Sequence, residues 1–219
     1  MKDYRDYKRS INHPWHPLNP VAIYYRQTRE RAVSEILRKL PLEMDVVRCL
    51  DIGCGFGGFL QFLASSGIAS QHLHGIDIMP ERSSIAKSLL PSETTVVISD
   101  AAKLPYPDEC FNLVSQLTVI SSILEPAMRA NVCNEMQRTL QPGGYALWYD
   151  MYRTRSSSTT AIPYKEVLRL FQQCRIVEIR HLHSHLASRI VNISQNLCTL
   201  LENIPGFPKT HLLILLQKK

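Results

Sequence analysis

The chain has 219 residues, 45% hydrophobic, 20% charged and 8% aromatic, which is enough for one sizeable core and short for two independent ones. No run nears the ~20 consecutive apolar residues of a bilayer span, and residues 1–10 alternate charge and tyrosine with no apolar stretch behind them, which argues against a secretory signal. The net charge of +6 is local, because residues 1–40 hold nine Lys/Arg against four Asp/Glu and the rest holds 16 against 15; that pattern suits a solvated cap or an anionic small substrate better than a nucleic-acid face.

Residues 1–20 carry three prolines and no period, which reads as an ordered arm. A helix is expected over about 21–40, with Val33, Ile36, Leu37 and Leu40 at helical spacing and Pro41 ending it, forming a lid. Strand-like and helix-like segments then alternate: strands near 46–51, 72–77 and 94–100, with helices near 58–66 and 80–90 between them. A second half adds a strand at 111–116, a helix at 126–140 and a strand at 144–150. The tail adds a helix near 165–173, a strand near 175–182, a helix near 188–203 and a strand near 211–217. Such alternation means βαβ units on a parallel, doubly wound α/β sheet. The expected organisation is an N-terminal arm and lid helix over 1–41 and one domain over 42–219. Six cysteines without a C-x-x-C pair read as reduced core residues of a cytoplasmic protein.

The first strand runs into Leu50-Asp51-Ile52-Gly53-Cys54-Gly55-Phe56-Gly57-Gly58. Glycines there allow a sharp turn and close approach of a ligand, and Gly53-x-Gly55-x-x-Gly58 also satisfies the dinucleotide fingerprint. Asp51 places a carboxylate beside the turn, welcoming a ligand ammonium and repelling a pyrophosphate. Asp77 ends the second strand, where a carboxylate accepts the hydrogen bonds of a ribose diol. Asp100-Ala101 follows the third strand, where it can meet an adenine amine and ring edge. Three such aspartates around one glycine turn suit a cationic adenosyl ligand.

With these pieces in place, LDIGCGFGGFL, GIDIMPER, ISDAAKLPYPDECFNLV and LQPGGYALWYD, in that order over about 46–150, resemble the class I S-adenosylmethionine-dependent methyltransferases. The resemblance implies a seven-stranded, mostly parallel Rossmann-like sheet with a reversed last strand. It implies S-adenosyl-L-methionine as donor and S-adenosyl-L-homocysteine as product, with Asp51, Gly53, Cys54 and Gly55 at the methionine portion. Asp77 and Ile78 would serve ribose and adenine, Asp100 and Ala101 adenine, and Gln116 the site floor. For Tyr24, Tyr25 and Arg26 two readings stand side by side: closure over the donor, with Arg26 making a bidentate contact with its carboxylate, or an aromatic helix face packing on the core with a solvated Arg26. The arm HPWHPLNPVAIYYRQ is similar to small bacterial methyltransferases of biosynthetic gene clusters.

The chemistry implied is an SN2 transfer of methyl to an oxygen or nitrogen of a small metabolite, driven mainly by proximity and orientation. Candidate bases are His13, His16, Tyr149 and Asp150. Gln116-Leu117-Thr118-Val119 lacks the Asn/Asp-Pro-Pro-Tyr/Phe sequence of enzymes that methylate planar amino groups. The expected partner is a small-molecule acceptor, with no nucleic acid, no membrane and a monomeric or homodimeric state. Protein or RNA methylation, an NAD-linked oxidoreductase and a non-catalytic S-adenosylmethionine-binding protein stand as alternatives. His181-x-His183-x-His185 is expected to face one side of a strand without holding metal. The apolar stretch 182–201 is expected to pack in the core rather than lie on a membrane surface.

Overall fold

The computed structural model describes residues 16–154, 156–185 and 189–219. Its strands are β1 (Cys49–Ile52), β2 (Leu73–Asp77), β3 (Thr95–Ile98), β4 (Phe111–Leu117), β5 (Leu140–Met151), β6 (Cys174–Leu182) and β7 (His211–Lys218). They form one sheet in the order β3-β2-β1-β4-β5-β7-β6. The β1–β2, β1–β4, β2–β3 and β4–β5 pairs are parallel. The last strand is reversed: Lys219 N donates to Gln173 O and the Arg175 guanidinium donates to Gln217 Oε1, so numbers rise along β7 as they fall along β6. The order and the reversal match the expected architecture.

The helices are α1 (Pro20–Leu37), α2 (Gly58–Ser65), α3 (Pro80–Leu89), α4 (Pro126–Thr139), α5 (Tyr164–Leu170) and α6 (Gln195–Glu202). Three of them start on proline, whose missing N–H has no intrahelical partner to lose. Asn19 Oδ1 accepts from Val21 N at 2.9 Å, and Glu125 Oε1 from Ala127 N at 3.0 Å, which caps α1 and α4. The central strand β1 is buried along its whole length, as a strand covered on both faces should be.

Two compact units emerge. The larger, residues 40–180 and 212–219, packs Leu50, Ile52, Ile76, Val114, Trp148 and Phe171 into a common core, with Trp148 edge-on to Phe171 at 5.8 Å. Arg138 on α4 ties the loop after β3 to this core by donating to Tyr106 O and Asp108, while Glu135 accepts from Leu104 N at 2.7 Å. The smaller unit combines the described residues of 1–39 with those of 181–211, so the segment between β6 and β7 groups with α1. Its core is Tyr24, Tyr25, Val191 and Cys198.

Four expectations change. The third strand stops at Ile98, which leaves Asp100 in an exposed turn. The fifth strand begins at Leu140, directly after α4, and a register shift against β4 accommodates Gln141-Pro142-Gly143-Gly144, with Gly143 at φ +76°. A Cβ on Gly144 would meet Asn112 O at 3.1 Å, so this close approach of two strands requires glycine. Strand β6 ends at Leu182, and His183 takes φ +55°, so the alternation of His181, His183 and His185 does not continue on one strand. Finally, the last helix spans only Gln195–Glu202, and several of its apolar residues face outward rather than into a core.

Candidate functional site

Because β1 through β4 are parallel, their C-terminal ends open on one edge of the sheet, where such folds bind ligands. The glycine turn begins there. Gly53, Gly55 and Gly57 have φ of +65°, +56° and +79°, values a residue with a Cβ adopts only at a cost of about 1–2 kcal/mol. Cys54 N donates to Ile76 O at 2.8 Å and Gly57 N to Cys54 O at 2.9 Å, which stitches the turn to β2 and to α2. A Cβ on Gly53 would lie 2.4 Å from Val119 Cγ2, whereas one on Gly55 would meet no atom within 4 Å. Gly53 is therefore glycine for packing, and Gly55 leaves an open backbone surface on which a ligand can rest.

Asp77 holds this turn in shape. Its Oδ2 accepts from Gly55 N at 3.0 Å and its Oδ1 from Met79 N at 2.9 Å, and the side chain is 5% exposed. Each carboxylate oxygen retains a further lone pair for a hydroxyl donor. Ser99 N donates to Asp77 O at 3.2 Å, bringing the end of β3 beside it. Ile78, the next residue, is 62% exposed, an apolar surface beside the carboxylate. Asp100 Oδ1 accepts from Ala102 N at 2.9 Å, and Ala101 is half-buried against the core.

On the other side of β1, the buried Asp51 accepts from Ser115 Oγ at 2.7 Å. Gln116, fully buried, accepts from Val119 N at 3.0 Å through Oε1 and directs Nε2 toward Tyr149 O at 3.5 Å. This bracket holds Val119 over Gly53 and fixes Thr118 at φ +61°, a conformation uncommon for a β-branched residue. Cys54 lies between Gly53 and Gly55, but its sulfur faces β2, since a Cβ on Gly75 would meet it at 2.9 Å. Burial and the nearby Asp51 and Asp77 carboxylates push its thiol well up, so it is neutral.

The candidate bases separate. Asp150 is 1% exposed, its oxygens accept from Ser121 N at 3.0 Å and Met151 N at 2.8 Å, and burial raises its pKa despite those bonds. Tyr149 is buried beside it and its carbonyl accepts from Thr118 N at 2.7 Å. His16 Nδ1 accepts from Leu18 N at 3.1 Å in the turn before α1. His13 lies outside the described residues. In the smaller unit, Tyr25 stacks on His183 with ring centroids 4.1 Å apart and planes within 10°, while Arg26 is exposed.

Asp51, Gly53, Gly55, Asp77, Ile78, Asp100, Ala101 and Gln116 thus fall along the ends of adjacent strands β1 to β4 and the loops that leave them. Sequence reasoning missed Ser115, Thr118, Val119 and Ser99. Ser115 had a signal, a hydroxyl directly after the apolar pair Leu113-Val114 and beside Gln116, whereas Val119 had none without the contact to Gly53.

Residues 50–148 match the family described as Methyltransferase domain. Over 126 residues the chain is 32% identical to the sterol 4-C-methyltransferase strm-1 of Caenorhabditis elegans, covering 54% of this chain and 35% of that protein. Over 156 residues it is 29% identical to a ubiquinone biosynthesis O-methyltransferase of Cereibacter sphaeroides, covering 68% and 59%. The chain thus spans between about a third and three-fifths of these relatives. Among solved structures, the cyclase SpnF superposes with a TM-score of 0.67 at 17% identity, over 88% of this chain and 82% of that one, a likeness of fold alone. Residues 50–148, which carry the glycine turn, the strand-end aspartates and Gln116, are thus similar to the methyltransferase domain family, and the chain has the fold of the class I S-adenosylmethionine-dependent methyltransferases.

Proposed function

We propose that the chain is an S-adenosylmethionine-dependent methyltransferase acting on an oxygen or nitrogen of a small molecule. The observation that carries this reading is the turn at Gly53–Gly57 with an open face at Gly55, flanked by buried carboxylates at the ends of β1 and β2. Those residues fit the donor: Gly55 leaves backbone open to the methionine portion, Asp51 supplies negative charge beside it, Asp77 has lone pairs for the ribose hydroxyls, and Ile78 offers an apolar surface to adenine. The Asp51 carboxylate beside the turn disfavours the pyrophosphate of a nicotinamide cofactor, whereas Asp77 would serve the ribose of either ligand. When bound, S-adenosylmethionine supplies a methyl group on a sulfonium sulfur, already activated for in-line displacement, with S-adenosylhomocysteine leaving.

The protein's own contribution is then orientation and exclusion of water. Asp77 holds Gly55 in its left-handed conformation, and the Gln116 bracket holds Val119 on Gly53, so both walls of the turn are fixed before a ligand arrives. Asp150 is assigned a positioning role: it pins Ser121 and Met151 and, at 1% exposure, does not present a base to an acceptor. Transfer of labelled methyl from S-adenosylmethionine to a panel of phenols, carboxylic acids and amines tests the reading. Product bearing the label, with S-adenosylhomocysteine in equal amount, supports it. Donor binding without any labelled product from the panel would favour the non-catalytic alternative, a distinction that matters because a cyclase shares this fold.

A further inference from the structure

One rung of residues crosses the parallel strands: Val96 on β3 lies beside Gly75 on β2, Gly75 beside Asp51 on β1, Asp51 beside Ser115 on β4, and Ser115 beside Leu147 on β5. Neighbouring strands lie about 4.8 Å apart and rung partners direct their side chains to the same face, so Gly75 and Ser115 are the two lateral neighbours of the Asp51 carboxylate on the sheet. Gly75 supplies no side chain, and it has to be glycine, because a Cβ there would meet Leu60 Cδ1 at 2.7 Å and Cys54 Sγ at 2.9 Å. Beyond Ser115 the rung continues with the fully buried, apolar Leu147. Within the rung, hydrogen bonding to Asp51 therefore falls to Ser115.

The Ser115 hydroxyl lies 2.7 Å from Asp51 Oδ1, the length of a charge-assisted O–H···O⁻ bond, and 3.3 Å from Leu50 O. A hydroxyl has one proton to donate, and the shorter contact, to the carboxylate, takes it. Ser115 is 1% exposed and Asp51 3%, so bulk water does not compete for this bond. Fixing one oxygen of a planar carboxylate stops rotation about its Cβ–Cγ bond. The direction of the other oxygen is then set as well.

We infer that Ser115 is a positioning residue for donor selection: it holds Asp51 in the direction that receives the ammonium of an S-adenosyl nucleoside, which favours nucleosides carrying the amino-acid portion over those without it. The inference rests on the donor reading above and adds a residue that acts through Asp51. The two ends of the ligand are received by different strands, the amino-acid portion at β1 and the adenosine at Asp77 and Ile78 after β2. Loss of the Ser115 hydroxyl therefore weakens one end and spares the other. A hydroxyl that served only the packing of β4 would affect both ends alike.

Calorimetric titration of the full chain with S-adenosylhomocysteine and with 5′-methylthioadenosine, which keeps the adenosine and the sulfur but lacks the amino-acid portion, separates these cases. Ser115→Ala should weaken S-adenosylhomocysteine about tenfold or more and change 5′-methylthioadenosine by less than about twofold. Ser115→Thr returns the hydroxyl and should restore the preference between the two nucleosides. Ser115→Cys, of similar size but a weak donor, should bind as the alanine variant does, and it takes that variant's place if alanine does not fold. Equal losses for both nucleosides, an unchanged affinity for S-adenosylhomocysteine, or a threonine variant without the restored preference would overturn the assignment and leave the donor reading in place. A wild-type chain that binds neither nucleoside would overturn the donor reading and this assignment with it.

Discussion

Replacing Asp77 by Asn tests whether one carboxylate both shapes the glycine turn and receives the donor. In the folded chain its two oxygens accept from Gly55 N and Met79 N at 3.0 and 2.9 Å in a nearly water-free position. Asn retains one carbonyl oxygen and turns an NH₂ toward the other N–H, so one charge-assisted bond is lost and a buried donor is left facing a donor. Hydrogen bonds to charged groups contribute about 1.5–3 kcal/mol, and the expected loss of stability is about 1–3 kcal/mol. Urea unfolding of the ligand-free protein reads that quantity directly. If the same carboxylate accepts from the ribose diol, calorimetric titration with S-adenosylhomocysteine should show affinity falling by about 30-fold or more, equivalent to about 2 kcal/mol. A variant with normal stability and normal affinity would refute both roles. One with lowered stability but unchanged affinity would keep the structural role and remove the ribose assignment.

Other consequences follow from the same geometry. Gly53→Ala should destabilise by about 2–5 kcal/mol, combining the left-handed conformation with the collision against Val119, but by only about 1–2 kcal/mol when Val119→Ala is already present. Additivity within about 0.5 kcal/mol across that double-mutant cycle, measured in urea, would contradict the interlocked walls. In the smaller unit His211 is 4% exposed, with Thr210 Oγ1 at 2.9 Å from Nδ1, and burial, with lesser contributions from His185 and Arg29, lowers its pKa from 6.5 to about 3. Its folded pKa is depressed, so its contribution to stability is complete above pH 6.5 and declines by about 1.4 kcal/mol per unit as pH falls toward 3. Substituting His211→Asn should make the acid limb of the stability curve shallower by that slope; an unchanged limb would show that His211 titrates normally.

Much of the fold was legible because its signals are local. Apolar runs ending in Asp51, Asp77 and Gln116, with prolines and glycines at the joints, mark strands buried on both faces and the helices between them. The aspartate positions follow from the same logic, since parallel strands of similar length end on one edge. Long-range packing was not legible. Nothing in Thr118-Val119 announces that Val119 sits over Gly53, and the shift that starts β5 at Leu140 depends on how Gly144 passes Asn112. The candidate base at Asp150 illustrates the same limit: its strand-end position suggests an exposed carboxylate, but the turn at Ser121 folds back and covers it. The segment 188–203 misled in the opposite direction: apolar spacing identifies a helix face without saying which side of the helix the core takes, and Leu197 and Leu200 of α6 face solvent.

The measurement closest to the central claim is thermal unfolding of the dialysed full chain with S-adenosylhomocysteine, S-adenosylmethionine, NAD⁺ and NADP⁺ at equal concentrations. A ligand at 100 times its Kd adds about 2.7 kcal/mol, which for a chain of this size raises Tm by roughly 5–10 °C. The account predicts that shift for the two sulfur nucleosides alone. A comparable shift with a nicotinamide cofactor, and none with S-adenosylhomocysteine, would contradict the assignment of Asp51, Gly55 and Asp77 to an S-adenosyl donor.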